Sequence, residues 1–313
     1  MSAVPRSDRR PVVATIGMAT LDYLYVVDEY PGADTVTPAH DHATAVGGAA
    51  GRGAVAARRL GAETRLLASC GTGVHAQVLT GLLDAEDVQC TWIAYDQPSQ
   101  HSAVVIARRE ATRTILWLPQ PMADARMVEH LPTVLDGADV ALIDSTDERL
   151  ATAAFDECER RGVATVFDTG SGRPWTRELL RRADHVIAPE KFALKETGRP
   201  AEPALAELLT GARCAVLAVT RGAAGGVYVS REQPRDPARW DAAPVTAVDS
   251  NGAGDTFHGA YAWALARGLP TAACFETAAW SAALKATRLG NGGVPTLAQL
   301  ERARSAAGGG ERA

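Results

Sequence analysis

The residues best suited to chemistry in this chain form one run, Asp249-Ser250-Asn251-Gly252-Ala253-Gly254-Asp255, which leads directly into TFHGAYAWALARG. A tight Gly-Ala-Gly turn that opens a helix leaves free backbone N–H groups at the positive end of the helix dipole, which is the elementary form of an anion site. Small residues let a phosphate come close to that backbone. A carboxylate at the same turn opposes phosphate binding unless it has a task of its own. Asp255 suits the task of general base, taking the proton of a hydroxyl that attacks a phosphorus held by the turn. The residues alone also allow a plainer reading, in which Asp255 is an acid favoured in a first helical turn and the glycines make a simple bend. Neither common phosphate motif accompanies the run: GxxxxGKS/T is absent, and no GxGxxG follows the first strand.

The elements that must carry this turn are legible in the pattern. The chain has 313 residues, 46% hydrophobic, 22% charged and 5% aromatic, enough for one large α/β domain or two small ones. Acids outnumber bases 37 to 32, for a formal charge of −5, so the basic face that nucleic acid requires is missing. The cysteines, at 70, 90, 158, 214 and 274, are scattered and odd in number, which argues against a zinc site or a disulfide framework and predicts a reducing, cytoplasmic setting. No apolar run reaches the ~18 residues needed to span a bilayer, so no membrane is expected as a partner. Residues 1–10 and 306–313 read as flexible ends.

Short β-branched runs alternate with Ala-rich stretches. The predicted strands include Val12–Gly17, Thr64–Ser69, Val140–Asp144, Val163–Asp168, His185–Ala188, Ala215–Thr220, Gly226–Val229 and Val245–Val248. Predicted helices lie at Arg52–Leu60, Val74–Asp84, Glu148–Arg161, Thr176–Arg182 and Pro203–Thr210. Repeated strand–helix–strand order implies right-handed crossovers and a mainly parallel central sheet covered on both faces. Two segments, 23–46 and 92–118, lack a helical stripe and read as a small β-layer, with a hairpin turning near 109–111. Such a layer suits a lid over a cleft, or an antiparallel extension of the main sheet. No repeat or long linker divides the chain, so residues 1–313 read as one domain.

The run D-S-N-G-A-G-D-T-F-H-G-A resembles the C-terminal signature of the ribokinase-like (PfkB) family of carbohydrate and nucleoside kinases. Three further elements stand in the same order: Gly17 to Asp22, then Val46-Gly47-Gly48-Ala49-Ala50-Gly51, then Val219-Thr220-Arg221-Gly222 with Gly225. The segment AALKATRLGNGGVP (282–295) resembles the family's closing helix and loop. In detail, FHGAY and the ALKATR…G…P ending look most like the branch that contains sulfofructose kinase.

The resemblance implies a three-layer ribokinase-like fold with a β-lid, and an ATP-dependent phosphotransferase acting on a hydroxyl of a sugar or sugar derivative. Asp255 would be the base, and Gly252, Ala253 and Gly254 would offer N–H donors to the transferring phosphoryl group. Asp22, Gly47 and Gly48 would meet the substrate. Thr220, Gly222, Gly225, Asn251 and the loop Gly290, Asn291, Gly292 would border the nucleotide. Magnesium would arrive with ATP, and a monovalent cation such as K+ would sit near Asp249 and the 287–293 segment. Lids of this family often pair, which implies a homodimer through the lid.

Three positions depart from the family pattern. Arg52 stands where an asparagine touches the sugar, suited to an anionic substrate group or to a structural pairing near a helix start. The N-x-x-E motif reads Glu190 to Ala193, leaving Glu190 to reach metal through water, with Asp168 as a second candidate for the phosphate–magnesium neighbourhood. The acidic G-D-D-x-x-G loop reads Gly73 to Val78. His101, at the start of the lid hairpin, is a candidate substrate contact or a plain surface histidine. His258 lies one helical turn beyond Asp255; Arg173 follows a parallel strand, and Trp117 is the lid tryptophan most suited to a ligand. The competing functions are a nucleoside kinase of the same fold, which the low aromatic content disfavours, and a catalytically idle binding protein on the same scaffold. A Rossmann dehydrogenase fails on the missing dinucleotide fingerprint.

Overall fold

Runs such as VALID, ATVFD and VLAVT are buried along nearly their whole length, as strands covered on both faces must be. The computed structural model describes residues 9–110, 112–119 and 125–308. Its strands are β1 (Val12–Ile16), β2 (Thr20–Val27), β3 (Asp41–Gly47), β4 (Glu63–Thr72), β5 (Gln89–Pro98), β6 (His101–Ala107), β7 (Thr112–Leu118), β8 (Val140–Asp144), β9 (Ala164–Asp168), β10 (His185–Pro189), β11 (Val216–Thr220), β12 (Gly226–Ser230) and β13 (Ala238–Trp240). The large sheet has the order β13-β12-β11-β10-β9-β8-β1-β4-β5. It is parallel from β11 to β5, and at its edge the β11–β12 and β12–β13 pairings are antiparallel.

Helices cover both faces. On one side Phe155, Leu179, Phe192 and Leu205 pack beneath β8 to β11, while on the other the helices Ala49–Arg59, Ala253–Ala266 and Thr271–Ala286 bury Leu60, Tyr261 and Phe275. The Glu148–Arg161 helix shows why the boundaries fall where they do. Asp147 caps its start by accepting from the Leu150 N–H at 2.8 Å, and Gly162 ends it in the left-handed conformation at φ 68°. The helices at 49–59 and 253–266 cross at Gly259, where a Cβ would strike the Gly53 carbonyl. This close crossing brings Arg52 and Asp255 together.

The second sheet has the order β3-β2-β6-β7 and forms the lid. Its register sets Asp22 beside Ser102, and Ser102 beside Trp117, so these three share one face. On that face Leu24, Val26, Val104 and Ile106 form a dry patch against Leu289. The hairpin turn expected near 109–111 lies between β6 and β7, with residue 111 outside the described residues.

Four expectations need correction. Residues 92–98 belong to β5, on the edge of the large sheet, because Trp92 and Ile93 pair with Ala68 and Ser69 rather than with lid strands. Val245–Val248 is not a strand: no neighbouring strand takes its backbone, and Val248 and Asp249 instead donate to Ala286 O at 2.7 and 3.0 Å. Residues 306–308 continue the helix Leu297–Gly308. Arg9 and Arg10 are held by Asp139 at 2.6 Å and Gly61 O at 3.0 Å, whereas 1–8 and 309–313 lie outside the described residues. All five cysteines are free, and among the described residues no helix is long and apolar enough to cross a membrane.

The C-terminal ends of β1 and β8 are tied by a buried acid. The Asp144 carboxyl fills the space beside Gly17 and accepts from the N–H groups of Met18 at 2.7 Å and Thr146 at 3.0 Å. Burial outweighs those bonds and pushes its pKa up to about 6. A raised acid pKa means that the folded state binds the proton more tightly than the unfolded chain. The associated stability is complete below about pH 4 and is lost as pH rises through 6. Relative to Asp144→Asn, the native chain is expected to lose about 3 kcal/mol of unfolding free energy between pH 4 and 7. Denaturant titrations of both proteins check this, and a pH-independent difference would contradict it.

Candidate active site

The carboxyl ends of the parallel strands open into a cavity of about 550 Å³ roofed by the lid sheet. Asp144, Asp168 and Thr220 enter its wall from the ends of β8, β9 and β11, where α/β sheets place their ligands. Asp22, Ser102, Ile115 and Trp117 descend from the lid, and Asn251, Gly254 and Asp255 come from the glycine turn.

The turn has the expected form. Asn251 donates its N–H to Asp249 Oδ1 at 2.8 Å, closing a local turn, and Gly252 follows in the left-handed region at φ 79°. A Cβ on Gly252 would meet the Arg52 guanidinium, so this glycine is required by both its conformation and its neighbour. The helix begins at Ala253, and Thr256 N donates to Gly252 O at 3.0 Å. One expected donor is already used: Ala253 N reaches Ser250 O at 3.2 Å. Among the described residues, the N–H groups of Gly252, Gly254 and Asp255 have no protein partner and are the open donors.

Arg52 binds the site together. Its guanidinium pairs with Asp22 Oδ2 in a short contact, reaches Asp255 Oδ2 at 3.3 Å and donates through Nε to Val46 O at 2.9 Å. The Arg52 and Asp22 side chains are 6% and 7% exposed, whereas that of Asp255 is 25% exposed. Ser102 Oγ donates to Asp22 Oδ1 at 2.6 Å, and Asn251 Nδ2 lies 3.5 Å from Asp22 Oδ2. Asp255 Oδ1 has no partner among the described residues. Gly47 and Gly48 serve this arrangement directly: a Cβ on Gly47 would strike the Asp22 carboxyl, and one on Gly48 the Met18 carbonyl.

Behind the turn, Asp168 sits at the end of β9, accepting from Gly170 N at 2.8 Å and lying 3.4 Å from His258 Nδ1. Burial raises its pKa and the Asp255 charge adds to the rise, while His258 opposes it. His258 also spans from Gly254 O at 2.8 Å to Ile187 O at 3.1 Å, fastening the first helical turn to β10. Arg173 lines the exposed margin of the cavity, and its guanidinium has no partner among the described residues. Arg113 of β7 donates to Ser250 Oγ at 3.0 Å, so the lid touches the turn itself.

Other candidates are placed elsewhere. His101 lies on the opposite lid face from Asp22 and Ser102, its ring stacked on His75 with centroids 3.9 Å apart. Gly222 and Gly225 shape the β11–β12 connection: Gly222 opens a short 3₁₀ turn, and a Cβ on Gly225 would strike the Trp240 carbonyl. Gly290, Asn291 and Gly292 form a second 3₁₀ turn, in which Gly290 N donates to Asp249 Oδ2 at 3.0 Å and Asn291 O accepts from Arg59 at 2.8 Å. None of these five residues lines the cavity wall. Glu190 begins the helix beyond β10 and is also absent from the wall, and Ala193 is core. Among the described residues no group of three His, Cys, Asp or Glu side chains converges as a metal site.

Sequence reasoning missed Asp144, Ser102, Arg113 and Lys285. Lys285 carries a signal in hindsight, as a single charge inside the run AAWSAALKA. It is buried, with Nζ 2.7 Å from Asp249 Oδ2.

Comparison with known proteins agrees with this fold. A ribokinase of Bacillus subtilis (strain 168) is 25% identical over 296 residues, covering 92% of this chain and 98% of its own. The structure of Arabidopsis thaliana ribokinase complexed with ribose and ATP superposes with a TM-score of 0.77 at 21% identity, covering 94% of this chain and 99% of that one. An Escherichia coli ribokinase II structure in complex with ATP and Mg2+ gives a TM-score of 0.80 at 19% identity, covering 95% and 99%. At such identities the structures establish the ribokinase-like fold. The family model described as "pfkB family carbohydrate kinase" matches residues 11–297, and the chain belongs to that family.

Proposed function

We propose that the chain transfers the γ-phosphoryl group of ATP to a hydroxyl of a small sugar or sugar derivative held under the lid. The observation that carries this reading is the pairing, in one cavity, of an unpartnered Asp255 oxygen with the open N–H groups of Gly254 and Asp255, with that of Gly252 at the buried start of the same turn. Asp255 Oδ1 takes the proton of the acceptor hydroxyl as its oxygen attacks phosphorus, and the amides stabilise charge gathering on the phosphoryl oxygens. Asp22, braced by Ser102 and Arg52, accepts from other substrate hydroxyls. Ile115 and Trp117 offer an apolar wall to the substrate's ring, and closure of the lid keeps water from the phosphoryl group.

A divalent cation fits as a companion of the nucleotide. With no converging three-residue ligand set among the described residues, it would be held chiefly by phosphates and water, with Asp168 and Asp255 as the nearby carboxylates. When bound it neutralises charge on the phosphates. Arg173, free at the margin of the cavity, suits an anionic group of either substrate. Arg52 has less of that freedom, because each of its three nitrogens already pairs with an acid or a carbonyl of this chain.

Turnover of ATP to ADP, screened over sugars, phosphosugars and nucleosides with native protein and Asp255→Asn, tests the scheme. One substrate class is expected to turn over, with kcat falling by about 10²–10⁴ in the variant. Equal turnover by both proteins would remove Asp255 as base, and activity confined to nucleosides would replace the sugar with a nucleoside. Arg52→Ala is expected to cost about 3–5 kcal/mol of stability in urea titrations, because it strands buried Asp22, and to slow neutral and anionic sugars alike. A stable variant with a raised KM for anionic sugars alone would instead place Arg52 on the substrate.

A further inference from the structure

The residues around Asp249 do not fit the monovalent cation that the family resemblance implies there. Asp249 and Lys285 are each 1% exposed in their side chains, and the Lys285 ammonium lies 2.7 Å from Asp249 Oδ2 and 2.8 Å from Asp249 O. Gly290 N donates to the same carboxylate oxygen at 3.0 Å, and Asn251 N to the other at 2.8 Å. The neighbouring backbone is equally committed. Val248 N and Asp249 N both donate to Ala286 O, and Gly293 is packed so closely on the end of the 271–286 helix that a Cβ would strike the carbonyls of Leu284 and Lys285. A cation is wanted here, because one buried carboxylate meets the negative end of a helix. The chain already supplies one. A second positive charge beside the ammonium would repel it at short range in a poorly screened interior.

We propose that Lys285 takes the place of a monovalent metal cation, fastening the 249–254 turn to the 290–293 loop, so that the protein works without K+. Lys285 is a positioning residue in this account: it reaches the phosphoryl site only through Asp249 and the turn that follows. The proposal rests on the kinase reading of that turn, but its decisive measurement does not need nucleotide.

The experiment compares thermal unfolding of the nucleotide-free protein in potassium chloride and in tetramethylammonium chloride at equal ionic strength, for wild type, Lys285→Met and Lys285→Ala. MgATP affinity is measured in the same two salts. Wild type is expected to melt at the same temperature in both, with affinities within about twofold. The variants, whose Asp249 has lost its counter-charge, are expected to gain stability as K+ is raised, the smaller alanine most. A wild type stabilised by K+ overturns the proposal, and so do folded variants indifferent to it. If neither variant folds, the wild-type comparison decides alone: indifference to K+ supports the built-in cation and stabilisation by K+ refutes it. Failure of ATP to bind in either salt would defeat the kinase reading while leaving the melting comparison intact.

Discussion

One guanidinium holds the cleft in shape. Arg52 stands between Asp22, which descends from the lid, and Asp255, which opens the 253–266 helix, and so joins two elements far apart in sequence. Without it two carboxylates would share a poorly hydrated space, a cost of several kcal/mol. The demand spreads outward from that contact. Gly252 must be glycine because the guanidinium occupies the place of its Cβ, Gly47 because Asp22 does the same, and Gly259 because the two helices must come close enough for the pair to form, while a Cβ on Gly53 would strike Leu142 of β8. The glycine signatures at both ends of the chain therefore serve one ion-paired cluster as well as any ligand.

The surrounding charges are arranged by different means. Asp144 and Asp168 end adjacent parallel strands, in register with each other, and both are held by backbone N–H groups; burial raises both pKa values. Asp249 lies deeper, is matched by Lys285, and never reaches the cavity wall. Asp255 is the most exposed of the ion-paired acids in the cluster and keeps one oxygen free. That division gives a reason to regard Asp255 as the acid that acts and its neighbours as the frame.

Much of this was readable before the fold. The continuously apolar runs at 140–144 and 216–220 mark strands covered on both faces, and Asp249 to Asp255 marks a helix opening with unfilled donors. What escaped depends on contacts between distant segments. Lys285 meets Asp249 across 36 residues, and although it is the single charge in an apolar run, nothing local names its partner. His101 suits either a substrate contact or a plain surface histidine by its place at the lid's edge, and the two-residue period of the strand turns it to the face opposite Asp22. TWIAY suits either sheet by its alternation, and only the parallel pairing with β4 assigns it to the larger one. Arg52 suits either an anionic substrate group or a structural pairing near a helix start; the structure shows it paired with Asp22 and Asp255, where the two helices cross at Gly259.

The central claim is that the terminal phosphate of ATP gathers at the start of the 253–266 helix beside the Asp255 carboxylate. A crystal structure with a non-hydrolysable ATP analogue and Mg2+ tests it most directly. The account places γ-phosphate oxygens within hydrogen-bond distance of the Gly252, Gly254 and Asp255 N–H groups, with room between phosphorus and Asp255 Oδ1 for an acceptor hydroxyl. A triphosphate bound away from those amides would contradict it.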